Sequence, residues 1–456
     1  MQKLFDVFAK PLSKDKVDAI YESVTTASEA QDGDAAWAAL APLLRAQPKQ
    51  LMAAQCLVTI ADKGLLSIER AVEVLSAIYD AHKDDADIVA SIGKSLESAR
   101  DIDQLNAAPP TAPLFSNVID RLNGFIKAAD SETSEESLVY ALATASRMVG
   151  RQRDDVAHAM HQRLIELDSK NAPYRYTLGL FCKTRGLFEA GMIANQAAVN
   201  LKPETVDSYE WNLGICATGA KHGAVALEVW QRMGQKIGMG RFGLPEGGYP
   251  NCKVRLAQRP LAARTADNDY PGLEETIWIE RLSPCHGIVR SVLVQQLGVD
   301  FGDVVLIDGA PITYHTYGDN EVPVFPHLAT LVKGGYQFFD FAGTQDASGQ
   351  LEGISEALTE DTIVYSHTEN YRTLCMDCWH NPDIDHEEHR GEDRHVVTGR
   401  IAAPPTVEAE QLLQQIDGAL VELNACHLYS PTLCHSAGQE KRAGVEQRRF
   451  DLLTNN

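Results

Sequence analysis

A block of roughly 35 residues recurs in the first half of the chain, and this recurrence constrains the fold more than any other feature. The clearest unit spans residues 172–203, APYRYTLGLFCKTRGLFEAGMIANQAAVNLKP, and its small and apolar positions are Leu178, Gly179, Gly186, Phe188, Ala198 and Pro203. The next unit, DSYEWNLGICATGAKHGAVALEVWQRM, is offset by 35 residues and repeats the pattern at Leu213, Gly214, Ala226 and Trp230. One unit upstream, 34 residues before Gly179, Gly191 and Ala198, the equivalent residues are Ala145, Ala157 and Leu164. A period of this length indicates stacked helical units.

Each unit is typical of two antiparallel helices that pack closely. Residues 1–235 are rich in Ala, Leu, Glu and Gln, with apolar residues three and four positions apart, which favours amphipathic helices. Small residues such as Gly179 and Gly214 let two helices approach, while Phe188 and Trp230 fill the space between turns. Because one pair cannot bury its apolar side alone, we expect successive pairs to stack into a superhelix.

These units resemble the tetratricopeptide-repeat superfamily over about residues 138–235, and a looser match over 15–100 ends one helix pair at Ala36, Leu43 and Pro48. The sequence departs from the family pattern at Lys221, where Gly is common, and at Gly191, which replaces the usual Ala. The resemblance implies an all-α superhelix whose concave surface binds a protein or peptide partner. The alternative is that the helices only support the rest of the chain, because a fold alone does not determine a function.

The composition is that of a soluble globular protein, with 44% hydrophobic and 23% charged residues. The formal net charge of −22 disfavours nucleic acid as a partner, since phosphate binding requires a positive surface. The N-terminal MQKLFDVFAKPLSKDK lacks the apolar core of a signal peptide, and no segment approaches the roughly 20 apolar residues of a membrane span. We therefore expect a cytoplasmic protein with reduced thiols and no membrane partner, whose oligomeric state the sequence leaves open.

Changes in composition divide the chain into four predicted segments. A block of degenerate helix pairs spans 1–104 and ends before the Pro/Ala-rich stretch LNAAPPTAPL. Tetratricopeptide-like repeats occupy 115–235, and a locally basic connector rich in Gly and Pro occupies 236–273. The last segment, 274–456, is rich in Cys and His and dominated by strand-like runs. We expect it to be an α+β domain with a mostly antiparallel sheet.

Several runs in the last segment predict individual elements from alternation, turn residues and capping residues. They are strands at 275–282, 336–343 and 361–368, a hairpin over 303–317 that turns at Asp308-Gly309, a short glycine-closed helix at 327–335, and an amphipathic helix at 407–425 capped by Thr406.

Ten of the 14 histidines and five of the nine cysteines lie between residues 285 and 435. The densest group is CMDCWHNPDIDHEEHRGEDRH at 375–395, in which Cys375, Cys378, His386 and His389 have the spacing C-x2-C-x7-H-x2-H. Zinc takes four thiolate or imidazole ligands in a tetrahedron, and a CxxC turn presents two thiolates to one point. These four residues therefore predict a zinc site that staples the C-terminal domain.

Other interpretations of this segment stay open. The spacing is tighter than in common zinc fingers, so in an alternative ligand set one or both histidines are replaced by Cys285, Cys426 or Cys434. The CxxC could instead be a redox pair, although the helix start and βαβ context of such pairs are not visible. The segment could also be an exposed acidic loop that binds no metal.

The sequence also allows an enzyme. Cys285 follows a predicted strand and could be a thiolate nucleophile, but the adjacent His286 would point to the opposite face. Its base would then be His315, His327 or His367. No phosphate-binding Gly loop, GxSxG or HExxH motif occurs in the chain.

Two functional hypotheses follow. The preferred one is a tetratricopeptide-like scaffold or accessory protein that binds a protein or peptide partner and carries a zinc-stapled C-terminal domain. The alternative is an enzyme, metal-dependent or of the Cys/His hydrolase type, with its active site in the Cys/His-rich domain and the repeats presenting the substrate.

Overall fold

The structure is a computed structural model that describes residues 12–46, 56, 57, 60, 65, 66, 68–95, 111–129, 132–202, 204–317, 320–375, 377, 391–423 and 425–454. The chain separates into two compact units, of which the first comprises Met1–Lys236 and Leu261–Tyr270 and the second comprises Ile237–Pro260 and Pro271–Asn456. The predicted fold class is confirmed, because one unit is helical and tetratricopeptide-like and the other combines mostly antiparallel sheets with helices.

Helices make up the described part of the first unit. Their bounds are α1 Lys14–Glu29, α2 Gly33–Ala46, α3 Ile68–His82, α4 Ala86–Ser95, α5 Thr111–Lys127, α6 Glu132–Met148, α7 Asp154–Leu167, α8 Ala172–Thr184, α9 Phe188–Asn200, α10 Asp207–Gly219 and α11 Gly223–Arg232. The last six form three consecutive packed pairs, α6 with α7, α8 with α9, and α10 with α11. The predicted repeats are thus confirmed as stacked helix pairs.

The small residues of the repeat lie where the helices come closest. A Cβ atom at Gly214 of α10 would lie 2.4 Å from Cζ2 of Trp230 in α11, so the indole ring leaves room for glycine alone. Ala198 and Ala226 are fully buried at the corresponding contacts of the second helices. Close approach of the backbones therefore follows directly from the small side chains.

The helices that precede the repeats share one hydrophobic core with the first repeat helix. Buried side chains from α1 to α6 form this cluster, and its fully enclosed members include Leu40, Leu75, Ile88 and Leu142. Burial of such aliphatic side chains contributes about 1.5–3 kcal/mol each before the cost of ordering them. The degenerate helix pairs thus pack continuously onto the clearer repeats.

A closed barrel forms the first part of the second unit. Its strands, together with a short ladder ahead of it, are β1 Gly238–Met239, β2 Pro245–Glu246, β3 Cys252–Ala257, β4 Glu274–Arg281, β5 His286–Val289, β6 Val304–Ile307, β7 Thr313–Tyr317 and β8 Asn320–Val332. Strands β3 to β6 pair antiparallel in chain order, β6 pairs antiparallel with β8, and β8 pairs parallel with β3. Alternate residues such as Val254, Ile277 and Val305 point inward and fill the interior.

A four-stranded antiparallel sheet with helices forms the second part of this unit. Its elements are β9 Gln337–Gln345, α12 Gln350–Gly353, β10 Ile363–Cys375, β11 Gly391–Ala403, α13 Ala409–Val421, β12 His427–Tyr429, α14 Pro431–Ser436 and α15 Glu440–Thr454. The strand order is β10-β11-β9-β12. Val397 and Ile401 of β11 face a core that contains α13 residues, whereas Val396 on the opposite face packs with Leu453 of α15. Helices therefore cover both faces of the sheet.

Arg400 of β11 connects this sheet to the loop between β5 and β6 of the barrel. Its guanidinium Nη1 donates to Oδ2 of Asp300 at 2.6 Å and to the carbonyl oxygen of Leu293 at 2.9 Å. The guanidinium carbon also lies 4.5 Å from the centroid of the Phe338 ring. Because the Arg400 side chain is only 12% exposed, this network holds two parts of the second unit together.

Two predicted elements of the second half are wrong. The segment 327–335, predicted as a helix, lies mostly in β8, where residues 327–332 pair with β6. The predicted hairpin over 303–317 does not form either, because β6 and β7 both pair with β8 and not with each other. The predicted helix at 407–425 is confirmed, but its N-cap is Glu408 and not Thr406.

Candidate functional site

Aromatic side chains recur at equivalent positions in the first helix of each repeat pair. Tyr140 of α6, Tyr174 of α8 and Tyr209 of α10 are separated by 34 and 35 residues, the repeat period itself. The ring centroids of Tyr140 and Tyr174 are 6.0 Å apart. The Tyr209 ring lies 4.7 Å from that of Tyr176, which follows Tyr174 by two residues in α8. We call Tyr140, Tyr174, Tyr176, Tyr209 and Trp211 the aromatic ladder.

The second position of the ladder also follows the repeat. Tyr176 and Trp211 are 35 residues apart, and the Trp211 ring packs edge-on against Trp230 with centroids 5.1 Å apart. Apart from the buried Tyr209, the members of the ladder are half-buried, so each presents part of its ring at the surface. Aromatic rings that are held by neighbours while partly exposed provide contact area at low entropic cost.

Polar contacts fix the ladder helices relative to one another. The Tyr174 hydroxyl donates to Oε1 of Glu136 at 2.5 Å, and burial together with that carboxylate raises the pKa of the tyrosine. The buried Lys183 of α8 donates from Nζ to Oδ1 of Asn212 in α10 at 2.9 Å. Since these groups are hydrogen-bonded to each other inside the unit, we assign them a role in fixing the helices relative to one another and not in binding a ligand.

An ion pair secures the third repeat pair. Nε and Nη2 of Arg232 in α11 donate to the two carboxylate oxygens of Glu210 in α10, at 2.9 and 2.6 Å. The Glu210 side chain is only 3% exposed, so its charge depends on this bidentate partner. The surface carrying Trp211 is therefore rigidly supported.

Only one of the four predicted metal ligands lies in the described part of the chain. Cys375 is the last residue of β10, where it is half-buried and is the register partner of Gly391, the first residue of β11. Cys378, His386 and His389 lie outside the described residues. Among the residues that are described, no group of three or more His, Cys, Asp or Glu side chains is placed to hold a metal ion.

The other cysteines considered as ligands are buried, and Cys285 lies in a different part of the second unit from Cys426 and Cys434. Cys426 and Cys434 belong to the core between the four-stranded sheet and its helices, and Cys285 is fully buried at the start of β5. Burial raises the pKa of the Cys426 thiol, and burial together with Glu446 raises the pKa of Cys434 to about 12. Because zinc binds thiolates, these environments favour core packing over metal binding.

The hypothetical nucleophile Cys285 has no exposed surface, and its candidate bases have partners elsewhere. Nδ1 of His315 is 3.2 Å from Nζ of Lys253, and Nε2 of His367 is 3.0 Å from the carbonyl oxygen of Val292. Nε2 of His327 lies 3.4 Å from Oγ1 of Thr330. A nucleophile must meet its substrate, so these contacts favour a structural role for Cys285.

A buried turn that the sequence did not predict surrounds this cysteine. The Ser283 hydroxyl oxygen accepts the backbone N–H groups of Cys285 and His286 at 3.1 and 3.2 Å. With both acceptor positions used, the hydroxyl donates to Nδ1 of His286 at 2.5 Å. Burial lowers the pKa of His286 to about 4, so the imidazole is neutral and the turn is structural.

The residues of the aromatic ladder were not among the binding residues predicted from the sequence. The signal was present, because Tyr140, Tyr174 and Tyr209 share the 34- and 35-residue spacing of the small residues that marked the repeats. Tyrosines vary in place among helical repeats, however, and their mutual contacts become visible only once the helix pairs are stacked.

No family model and no curated protein matches this chain. Among solved structures, MamA AMB-1 is 17% identical with a TM-score of 0.27, and the match covers 40% of this chain and 90% of that chain. YrrB, described as a TPR protein with an unusual peptide-binding site, is 14% identical with a TM-score of 0.26, covering 42% of this chain and 89% of that chain. Pseudomonas aeruginosa pilF is 11% identical with a TM-score of 0.30, covering 48% and 90%. At these values the likenesses carry no argument about function, and the tetratricopeptide-like character of the first unit rests on its own helix pairs.

A helix that spans a membrane needs roughly 20 predominantly apolar residues, and the helices of the described residues fall short of this. None of them is both long enough and apolar enough to cross a bilayer.

Proposed function

We propose that the protein is a scaffold or accessory protein whose helical repeats bind a protein or peptide partner through the aromatic ladder. The observation that carries this proposal is the recurrence of half-buried aromatic rings at the repeat spacing, Tyr140 with Tyr174 and Tyr176 with Trp211. Each of these two pairs offers an equivalent anchoring point on two successive repeats.

The physical properties of the ladder suit a binding surface. Tyrosine and tryptophan dominate the energetics of protein interfaces, because one rigid ring buries a large apolar area and keeps a polar edge. Tyr176 is packed against Tyr209, and Trp211 against Trp230, so little side-chain entropy is lost when a partner covers them. A peptide could place apolar side chains against successive rings at the spacing of the repeat.

The test compares ladder variants with a variant of an equally apolar residue outside the ladder. Ile193 of α9 is 62% exposed and serves as the control. Proteins retained by the full chain are identified, and their binding to Tyr176→Ala, Trp211→Ala and Ile193→Ala is then measured. We expect each ladder variant to weaken binding by at least about tenfold and the Ile193 variant to leave it unchanged.

Two measurements keep this test independent of folding. Thermal melts identify a variant that has lost its structure, and a photo-crosslinking amino acid at position 176 reports contact without removing an aromatic ring. Equal binding by ladder and control variants, together with no cross-link from position 176, would contradict the proposal.

We further propose that Cys375, Cys378, His386 and His389 bind zinc and staple the C-terminal domain. The support is the donor set, two thiols and two imidazoles in one short segment, and the position of Cys375 at the end of a strand paired with the start of the next. A metal held there would close the connection between β10 and β11 and add folding free energy to the second unit.

Metal analysis of the purified full chain tests this second proposal, with one zinc ion per chain expected. Cys375→Ser and Cys378→Ser should lose the metal and lower the melting temperature of the second unit while the helical unit melts as before. Asp377→Asn, an exposed change between the two cysteines, is the matched control and should retain zinc. A metal-free wild-type protein, or cysteine variants that melt like wild type, would contradict a structural site.

A further inference from the structure

A ten-residue segment between β3 and β4 belongs to the helical unit and not to the barrel strands that flank it. This segment, Leu261–Tyr270, has the sequence LAARTADNDY and is called the strap. It begins with a 3-10 turn at Leu261–Ala263 and carries an isolated β-bridge between Thr265 and Asn268. The strap therefore consists of a 3-10 turn followed by a tight turn, in which the Asn268 N–H donates to the Thr265 carbonyl oxygen at 3.1 Å.

Arg151, in the turn between α6 and α7, makes the principal contacts with the strap. Its backbone N–H donates to Oδ2 of Asp269 at 2.8 Å, and its guanidinium Nε lies 3.5 Å from Oδ1 of the same carboxylate. Nη2 of Arg151 donates to the carbonyl oxygen of Leu261 and, at 2.7 Å, to that of Thr184. Arg151 thus binds both a carboxylate and a backbone carbonyl oxygen of the strap, and it also binds the carbonyl oxygen of the last residue of α8 in the next repeat pair.

The strap also contacts the turn between α8 and α9. A Cβ atom at Gly186 would lie 2.9 Å from the Cβ atom of Ala262, so the strap backbone approaches where the repeat has no side chain. Gly186 has a φ of 72°, a conformation that favours glycine independently of the strap. The strap therefore runs from the turn of one repeat pair to the turn of the preceding pair.

The two turns that the strap touches carry arginines at equivalent positions. Arg151 and Arg185 are 34 residues apart, and Arg185 donates from Nε and Nη2 to Oδ1 of Asp154 at 2.9 and 2.8 Å. Asp154 is thus the carboxylate partner of Arg185, whereas the Arg151 guanidinium lies nearer to Asp269 of the strap, at 3.5 Å, than to Asp154, at 4.0 Å. The complementary ligand is therefore a segment that places a carboxylate beside Arg151, as the strap does with Asp269.

We propose that the edge formed by these two turns, called the turn edge, is a docking site for a segment of a partner protein that carries such a carboxylate, and that the strap is a tethered ligand that occupies the site in the absence of the partner. This inference rests on the proposed partner-binding function of the repeats and names the chemistry of one partner segment. The required features are a small residue opposite Gly186 and a carboxylate that reaches the N–H and guanidinium of Arg151.

The attachment of the strap to the chain at both ends determines how readily a partner segment can displace it. A strap joined to the chain at both ends is present at a high effective concentration, so a free segment of the same chemistry competes poorly until the strap is loosened. Part of the affinity comes from a charge-assisted contact on a partly exposed carboxylate, whose side chain is 31% exposed. Added salt should therefore weaken docking.

A synthetic peptide of residues 259–272, RPLAARTADNDYPG, labelled with a fluorophore, tests the proposal by anisotropy. It is titrated with the full-chain wild type and with full-chain Asp269→Ala, in which the strap has lost its carboxylate. We expect the Asp269→Ala protein to bind the peptide at least about tenfold more tightly than wild type does.

Peptide variants supply controls that cannot alter the fold of the protein. A peptide with Asp269→Asn should bind the Asp269→Ala protein at least about tenfold more weakly, since a charged partner of Arg151 is lost. A peptide with Asp267→Asn changes the same net charge two residues away and should bind like the original. Equal binding of the two peptide variants, or no binding of the original peptide to the Asp269→Ala protein, would overturn the proposal.

The outcome separates this inference from the proposed function. If the peptide fails to bind while Tyr176→Ala still loses a partner, the strap is a structural element and the ladder remains the binding surface. If the peptide binds as expected while ladder variants keep every partner, the turn edge is the site and the ladder is not.

Discussion

Gly214 and Trp230 are in such close contact that a methyl group on residue 214 would overlap the indole ring, with its Cβ 2.4 Å from Cζ2. This contact joins α10 to α11, and Trp230 in turn supports Trp211 of the aromatic ladder. The packing of one glycine therefore bears on both the stability of the last repeat pair and the position of a proposed binding residue.

Gly214→Ala should destabilise the first unit by about 1–3 kcal/mol, because the indole has to leave its place in a well-packed core. Chemical denaturation monitored by tryptophan fluorescence measures the change. The matched control is Gly124→Ala in α5, where the added methyl group meets no atom within 4 Å. That change should stabilise the helix by about 0.5–1 kcal/mol. Equal effects of the two substitutions would refute the packing argument.

Arg232→Ala should destabilise the same repeat pair by about 3–5 kcal/mol, since it leaves the carboxylate of Glu210 buried without its bidentate partner. Glu228 also approaches Arg232, at 3.4 Å, but its side chain is 78% exposed. Glu228→Ala should therefore change the unfolding free energy by no more than about 0.5 kcal/mol. Denaturant titrations of the two variants provide the comparison, and a similar cost for both would show that burial does not matter here.

Arg400→Ala should destabilise the second unit by about 2–4 kcal/mol, because it removes the partner of the largely buried Asp300 and leaves the Leu293 carbonyl oxygen without its donor. Arg290 serves as a control, because its ion pair with Glu280 at 2.8 Å is well exposed on both sides. Arg290→Ala should cost no more than about 1 kcal/mol. Calorimetry of the full chain distinguishes the two outcomes.

Stability should fall as the pH is lowered from 7 to 5, through buried neutral histidines. Burial lowers the pKa of His161 in the first unit to about 3, and burial lowers those of His286 and His327 in the second unit to about 4. An unfolded histidine binds its proton near pH 6.5, so below that pH the unfolded state holds more protons. Each histidine then removes up to about 1.4 kcal/mol per pH unit.

Urea midpoints measured at pH 7 and pH 5 test this pH dependence. His327→Gln should reduce the loss of stability of the second unit between the two pH values, whatever its effect at pH 7. His435→Gln, which changes a side chain that is 70% exposed, should leave the loss unchanged. An identical pH dependence in wild type and His327→Gln would contradict the assignment.

Local patterns predicted the helical half well because the signals of a repeat are local. Gly179, Gly214 and Ala198 marked contacts between neighbouring helices of known period, and those contacts are formed as predicted. The strands at 275–282, 336–343 and 361–368 were likewise predicted from alternation alone, and all three form.

Long-range pairing explains the errors in the other half. Residues 327–335 end in Gly334-Gly335, which is typical of a helix terminus, yet residues 327–332 of β8 pair with β6, and the residues just before them pair with β3 at the start of the barrel. The turn residues Asp308-Gly309 suggested a hairpin, but β6 forms its ladders with β5 and β8. No local pattern contains the partner of a strand, so the pairing could not be predicted.

Proximity in sequence was also a poor guide for the cysteines. Cys285, Cys426 and Cys434 each stand beside a histidine, which made them attractive as ligands. In the fold all three are buried, Cys426 and Cys434 in the core between the four-stranded sheet and its helices and Cys285 at the start of β5 in the barrel. The zinc site formed by Cys375 with Cys378, His386 and His389 stays a prediction.

The strap has a practical consequence for dissecting the protein by truncation. The obvious cut after Lys236 would give a helical fragment that lacks Leu261–Tyr270, leaving Arg151 without Asp269 and the Leu261 carbonyl oxygen. The complementary fragment would carry the same ten residues as a loop with nothing to bind. The chain passes from one unit to the other after residues 236, 260 and 270, so no single cut yields both units with all their residues. A helical fragment that keeps the contacts of Arg151 requires the strap to be joined to it by a linker.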